Sequence, residues 1–218
     1  MSRREQPWPI RLTHWLNVPL LGILAGSGLQ ILTAYPMLGP RGAPYPWDPL
    51  GGRAPPEALS LGGWLAGGRA WHFAFAGLLV ANGLLYLGYL FGSGEWRRRL
   101  FFPRRDGRDA LRTAAYYLRL SRTPPVQAPY NGLQRLAYTS TLVVAAVSVW
   151  TGLAIYLPVR LPVLAAAFGG YDAARAVHFL GLAFLATFTV GHVVMVLAHP
   201  KTLPPMVGGG ARVDDHPT

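Results

Sequence analysis

The sequence contains no cysteine. That excludes disulfides, thiolate ligation of iron–sulfur clusters and covalent C-x-x-C-H attachment of a c-type haem. Charge is also scarce: charged residues make up 13% of the chain, and nine acidic residues face twenty lysines and arginines, for a formal net charge of +11. No general acid–base or nucleophilic constellation stands out, so the polypeptide reads less as a complete enzyme than as a subunit of one. Internal repeats at a solenoid period are absent as well.

What the chain has instead is apolar length. Of its 218 residues, 51% are hydrophobic, and long apolar segments occur at about 12–34, 70–91, 136–157 and 174–198, each near the ~20 residues that cross a bilayer. They predict an all-α, integral membrane, four-helix up-and-down bundle in one domain spanning residues 1–218. A net charge of +11 can signal a nucleic-acid partner, but such a reader rarely spends half its length on lipid-spanning segments. No nucleic acid is expected.

The basic residues serve orientation instead, because Lys and Arg in short loops are retained on the cytoplasmic side. Arg3, Arg4 and Arg11, ten arginines from Arg97 to Arg135, and Lys201 and Arg212 put fifteen on one face, against Arg41, Arg53, Arg69, Arg160 and Arg175 on the other. Both termini are therefore expected in the cytoplasm, and the protein in a bacterial inner membrane as a multi-pass protein. Within the basic loop, Asp109–Leu120 can form a helix on the anionic inner leaflet, or serve simply as a solvated orientation signal. The first span, flanked by His14 and Asn17 with no clear cleavage site after it, reads as a mature helix rather than a signal peptide. The external loop from Tyr35 to Arg69 is rich in Gly, Pro and aromatics and predicts turns. The tail from about residue 203 is expected to be disordered.

Histidines inside apolar spans call for an explanation. His178 and His192 are fourteen residues apart, which on a helix is about 21 Å of rise and a rotation within about 40° of one face. The first helix enters from the cytoplasm, so His14 lies near its inner end; the second enters from outside, so His72 lies near its outer end. Depth thus pairs His14 with His192 and His72 with His178. Facing imidazoles at two levels of a helix bundle suit bis-histidine ligation of two noncovalent haems. The bland alternative, for any one histidine, is an interfacial or helix–helix hydrogen-bonding role. His199, followed by Pro200, reads as interfacial, and His216 as part of the tail. Trp15 and Trp71 read as interface aromatics.

Arg11, Arg69 and Arg175 each precede one of these histidines by three residues, on the same side and one turn nearer the interface. A guanidinium there can pair with a haem propionate or serve as an ordinary interfacial cap. At the inner level, Asn131 and Gln134 open the third span, and their amides can bond a quinone carbonyl or cap the helix. Arg135 beside them is a further candidate for an inner propionate.

The stretches RLTHWLN at 11–17, WHF at 71–73, YNGLQ at 130–134, TGLAIY at 151–156, and RAVHF with His192 fourteen residues on together resemble the bacterial cytochrome b561 superfamily. The resemblance is to its dihaem membrane subunits of formate dehydrogenases, nickel–iron hydrogenases and thiosulfate-reductase-type complexes, with the last of these most similar. It implies two haem b groups on the same histidine pairs, quinone exchange near Asn131 and Gln134, and electron transfer to a periplasmic molybdenum or iron–sulfur subunit that the chain anchors. A stand-alone quinol oxidase acting on oxygen or superoxide would use the same bundle and ligands. A haem-free anchor or transporter, with histidines binding protons or metal, fits the depth pairing and the R-x-x-H spacing less well.

Overall fold

The computed structural model describes residues 6–123 and 130–209; Arg3, Arg4, Arg212 and His216 lie outside them. Among the described residues there is no strand, and four helices are long and apolar enough to cross a membrane: α1 (Trp8–Ala34), α2 (Leu65–Gly92), α5 (Gly132–Tyr156) and α7 (Tyr171–Ala198). Between them lie α3 (Trp96–Arg99), α4 (Pro103–Tyr117) and α6 (Pro162–Ala167), and α8 (Leu203–Gly208) follows. The long helices begin three to five residues before the apolar segments do. Around the starts of α2, α5 and α7 the residues are polar or glycine-rich, as in Gly67-Gly68-Arg69, Asn131 with Gln134, and Asp172, so hydropathy understates helices whose backbone bonds already require that turn.

The helices pack as two antiparallel hairpins, α1 on α2 and α5 on α7, with α4 lying along α5. Their outward faces are apolar, with Leu84 64% and Leu197 74% exposed. Hydrocarbon, not protein, is the medium that such faces match. Within the first hairpin a polar staple replaces hydrophobic driving force: the buried Asn82 donates from Nδ2 to the Thr13 carbonyl at 2.9 Å and to Asn17 Oδ1 at 2.8 Å. Interhelical hydrogen bonds of this kind contribute about 0.6 kcal/mol on average and about 1.7 at most. Asn82→Leu is therefore expected to lower the thermal midpoint of the detergent-solubilised protein modestly, and an unchanged midpoint would show the staple to be dispensable.

The first turns of α1 and the short α8 meet at one end of the bundle. Within the tail expected to be disordered from about residue 203, Leu203–Gly208 form α8, whose Val207 carbonyl accepts from Arg11 Nη1 at 3.1 Å and whose Met206 carbonyl accepts from Trp15 Nε1 at 2.8 Å. Two donors on α1 thus hold this segment against it; the chain beyond residue 209 is outside the described residues. His199 is the C-cap of α7, exposed and turned back on the Met195 carbonyl. The basic-loop helix expected over Asp109–Leu120 runs instead from Pro103 to Tyr117, since Pro103 supplies a preformed first position.

At the opposite end, the loop after α1 is built from turns and two short 3₁₀ segments, Pro40–Gly42 and Glu57–Leu59. Asp48, itself buried, accepts from the Leu50 and Gly52 amides at 2.9 and 3.2 Å. Leu38 is almost fully buried, and the Leu61 amide donates to the Gly26 carbonyl of α1 at 2.9 Å. The loop is fastened to the helices on which it sits.

Candidate functional site

Equal distances along the helices bring the histidines to two levels. His14 is six residues past the first residue of α1 and His192 six before the last of α7, while His72 and His178 each stand seven past the first residues of α2 and α7. The ring centroids of His14 and His192 are 6.0 Å apart, and those of His72 and His178 are 6.1 Å apart. Both depth pairs therefore meet, each linking α7 to the α1–α2 hairpin across the space between the two hairpins.

That separation can be tested against chemistry. Two imidazoles sharing one metal, with each nitrogen about 2 Å from it, stand roughly 6 Å apart between ring centres. Among the described residues no group of three or more His, Cys, Asp or Glu could hold a metal ion. Donors in twos suit the two axial positions of a porphyrin iron better than a closed four-ligand site. His14 Nδ1 is buried with no hydrogen-bond partner, a polar atom that its own protein surroundings leave unsatisfied. The residues fit haem.

The two levels differ in their surroundings. Ser27 Oγ lies 3.1 Å from His72 Nδ1, and Thr151 Oγ1 lies 3.0 Å from His178 Nδ1. Neither hydroxyl was singled out in the sequence, although Thr151 opens the TGLAIY stretch. At the other level His14 meets Trp15 edge-on at 5.2 Å, and the exposed His192 stacks on Phe188 at 6.0 Å with 10° between the planes.

The three arginines one turn away have found protein partners. Arg175 donates from Nη1 to the Met37 carbonyl at 3.0 Å and from Nη2 to the Tyr35 carbonyl at 2.6 Å, and its guanidinium lies over the Tyr35 ring. It clamps the external loop to α7. Arg11 reaches α8 while its Nε is buried without a partner, and the exposed Arg69 lies over the Phe73 ring at 5.8 Å. Of the three, Arg175 has least of its fork left for a propionate. Arg135, the further propionate candidate, is bonded to Asp106 on α4 at 3.1 Å.

Asn131 and Gln134 form a capping box at the start of α5: the Gln134 amide donates to Asn131 Oδ1 at 2.9 Å and the Asn131 amide to Gln134 Oε1 at 3.1 Å. The capping alternative is thus realised, and it uses the side-chain oxygens, not the side-chain NH₂ groups. Beside this turn, Leu133, Leu136, Ala137, Ser140, Phe184 and Phe188 line an apolar groove of about 300 Å³ between α5 and α7. Phe188 joins that groove to His192.

Known proteins bear on this geometry in one direction. A chain of Azospira oryzae that carries the name protein-methionine-sulfoxide reductase subunit YedZ1 is 39% identical over 210 residues, covering 93% of this chain and 94% of its own length. Its name makes that relative a subunit of a sulfoxide reductase. No solved structure matches the chain. Prokaryotic cytochrome b561 matches over residues 5–209, a span that takes in all four long helices and both histidine pairs, and the chain belongs to that family of b-type cytochromes of the bacterial inner membrane.

Proposed function

We propose that the protein is a dihaem b-type cytochrome that carries electrons across the membrane between the quinone pool and a periplasmic redox subunit, which it anchors. The observation that carries this reading is the pair of imidazole–imidazole separations, 6.0 and 6.1 Å, at two depths of one bundle. When bound, the haems would supply one-electron redox chemistry at each level. The protein's part is to hold His14 with His192 and His72 with His178 in apposition, and to keep water from the span between them.

The end where α1 begins and α8 lies also carries the arginine-rich α3 and α4, so the positive-inside rule assigns it to the cytoplasm. Quinone exchange belongs to that end on this reading. The apolar groove between α5 and α7 opens towards lipid beside the capping box, where a lipid-soluble partner can enter laterally, and Asn131 Nδ2 and Gln134 Nε2 supply donors for a quinone carbonyl. At the periplasmic end, the loop clamped by Arg175 offers a fixed surface for a catalytic partner. The relative's name, a reductase subunit, supports a partner that does the chemistry on substrate. The wider resemblance favours a molybdenum enzyme over an iron–sulfur one.

The test is the reduced-minus-oxidised spectrum of the purified full chain in mild detergent, with quantitative haem assay and reduction by a quinol analogue. Two low-spin b haems per chain, both reduced by quinol, are expected; a chain that takes up no haem on reconstitution refutes the proposal. Asn131→Asp and Gln134→Glu keep the oxygens of the capping box and remove the amide donors. Each is expected to slow quinol-driven reduction roughly two- to tenfold, the worth of one hydrogen bond, while reduction by dithionite is unchanged. Quinol reduction at the parent rate in both variants would move the quinone contacts elsewhere.

A further inference from the structure

Ser27 and Gly28 on α1, and Thr151 and Gly152 on α5, repeat one local arrangement on the two hairpins. Both hydroxyl residues are completely buried. Ser27 Oγ donates to the Ile23 carbonyl of its own helix at 2.7 Å, and Thr151 Oγ1 donates to the Val147 carbonyl at 2.8 Å. A hydroxyl has one proton. With that proton committed, each oxygen can only accept from the imidazole nitrogen beside it, His72 Nδ1 at 3.1 Å and His178 Nδ1 at 3.0 Å. Both rings are thereby held as the tautomer with hydrogen on Nδ1, which leaves the Nε2 lone pair free to bind a metal.

The following glycine completes the seat. A Cβ on Gly28 would stand 3.2 Å from His72 Cε1, and one on Gly152 would stand 3.3 Å from His178 Cε1. Each ring edge lies against helix backbone that only glycine leaves bare. His14 has no counterpart, since its Nδ1 is buried without a partner.

We infer that Ser27 and Thr151, each with its following glycine, are positioning residues that set the tautomer, orientation and basicity of the His72–His178 pair and so make the haem of that level electronically distinct from the other. The inference rests on the haem reading proposed above. An imidazole that donates from Nδ1 is a more basic ligand through Nε2 and favours the more positive oxidised iron. The hydroxyls therefore lower the potential at this level only.

Ser27→Ala and Thr151→Val, singly and together, in the full haem-loaded chain test this by redox titration of both haems. The expected result is a rise in the potential of the one wave that His178→Ala abolishes, with the other wave unmoved, and haem affinity at that level weaker by about tenfold to a hundredfold. Ser27→Thr and Thr151→Ser, which restore an oxygen, should return the potential towards its parent value. Gly28→Ala should lower occupancy at the same level by displacing the ring. Unmoved potentials in the double variant, equal shifts of both waves, or no recovery in the conservative variants would each overturn the inference while leaving dihaem binding intact. A parent chain without haem would overturn the proposed function itself, and this inference with it.

Discussion

On the proposed dihaem reading, His178→Ala is expected to remove one haem and leave the other fully reducible by quinol. His178 meets His72 across the bundle at 6.1 Å, with Thr151 behind its far nitrogen. Alanine leaves His72 facing empty space, and bis-imidazole ligation at that level is lost. The haem-to-protein ratio and the amplitude of the reduced-minus-oxidised spectrum should fall by roughly half. The remaining pair, His14 with His192, lies at the end assigned to quinone, so quinol still reduces what is left. Electrons then have no second station towards the periplasm, and transfer to an acceptor added from that side should stop. His192→Ala is the informative partner because it removes the other level. It should spare dithionite reduction of one haem and abolish reduction by quinol. Two haems retained in His178→Ala, or undiminished quinol reduction in His192→Ala, would break the assignment of levels to partners.

The pairing of these four residues was legible in the sequence because depth in a membrane helix is a matter of counting. Spans of similar length, entered from alternating sides, put residues at equal distances from equivalent ends at the same level. Ser27 and Thr151 were not legible for a matching reason. A hydroxyl in an apolar helix ordinarily bonds its own backbone one turn back, and both do so here. Only the three-dimensional structure shows that the oxygen's remaining capacity is taken by a histidine of the neighbouring helix. The arginines show the limit of spacing: R-x-x-H puts Arg175 one turn from His178, but spacing is silent on the path of a Gly- and Pro-rich loop. That loop turns its Tyr35 and Met37 carbonyls into the guanidinium fork. Likewise α8 is short, proline-containing and followed by glycines, with little intrinsic helix signal; what holds it, Arg11 and Trp15, is nearly two hundred residues away in sequence. Local pattern fixes what a segment can be, and distant partners decide what it becomes.

The largest expected effect on stability lies outside the histidines, at Asp106. Its carboxylate is buried where α4 crosses the start of α5 and is bonded on both oxygens: Oδ1 accepts from Arg105 Nε at 2.7 Å and Arg135 Nη1 at 3.1 Å, Oδ2 from the Phe102 amide at 2.8 Å and Arg105 Nη2 at 2.9 Å. Burial pushes the carboxyl pKa up, but the hydrogen bonds from Arg105 and the Phe102 amide and the charges of Arg105 and Arg135 outweigh it and hold the group below the usual carboxylate value. A carboxyl with a lowered folded-state pKa stabilises fully above its unfolded value of about 4, and that stabilisation is lost as pH falls through the lowered value. Asp106→Asn keeps the shape and removes the charge, leaving Arg135, whose side chain is only 15% exposed, without its counterion. Breaking a buried pair in this way costs about 3–5 kcal/mol, so a clear drop in thermal midpoint at neutral pH is expected, shrinking as pH falls below about 4 and vanishing only where the folded parent's own lowered carboxyl takes up its proton. The consequence reaches function through one short turn. The neighbouring Asp109 caps the Gly132 amide, and a Cβ on Gly132 would meet the Asp106 carbonyl oxygen at 2.5 Å, so tightly is α4 seated on the turn that presents Asn131 and Gln134. Loosening α4 should therefore slow reduction by quinol while the haem-to-protein ratio, set by histidines deeper in the bundle, is retained. Parent-like stability at neutral pH would refute the energetic argument, and haem loss without a change in quinol kinetics would show that Asp106 supports the bundle rather than the turn.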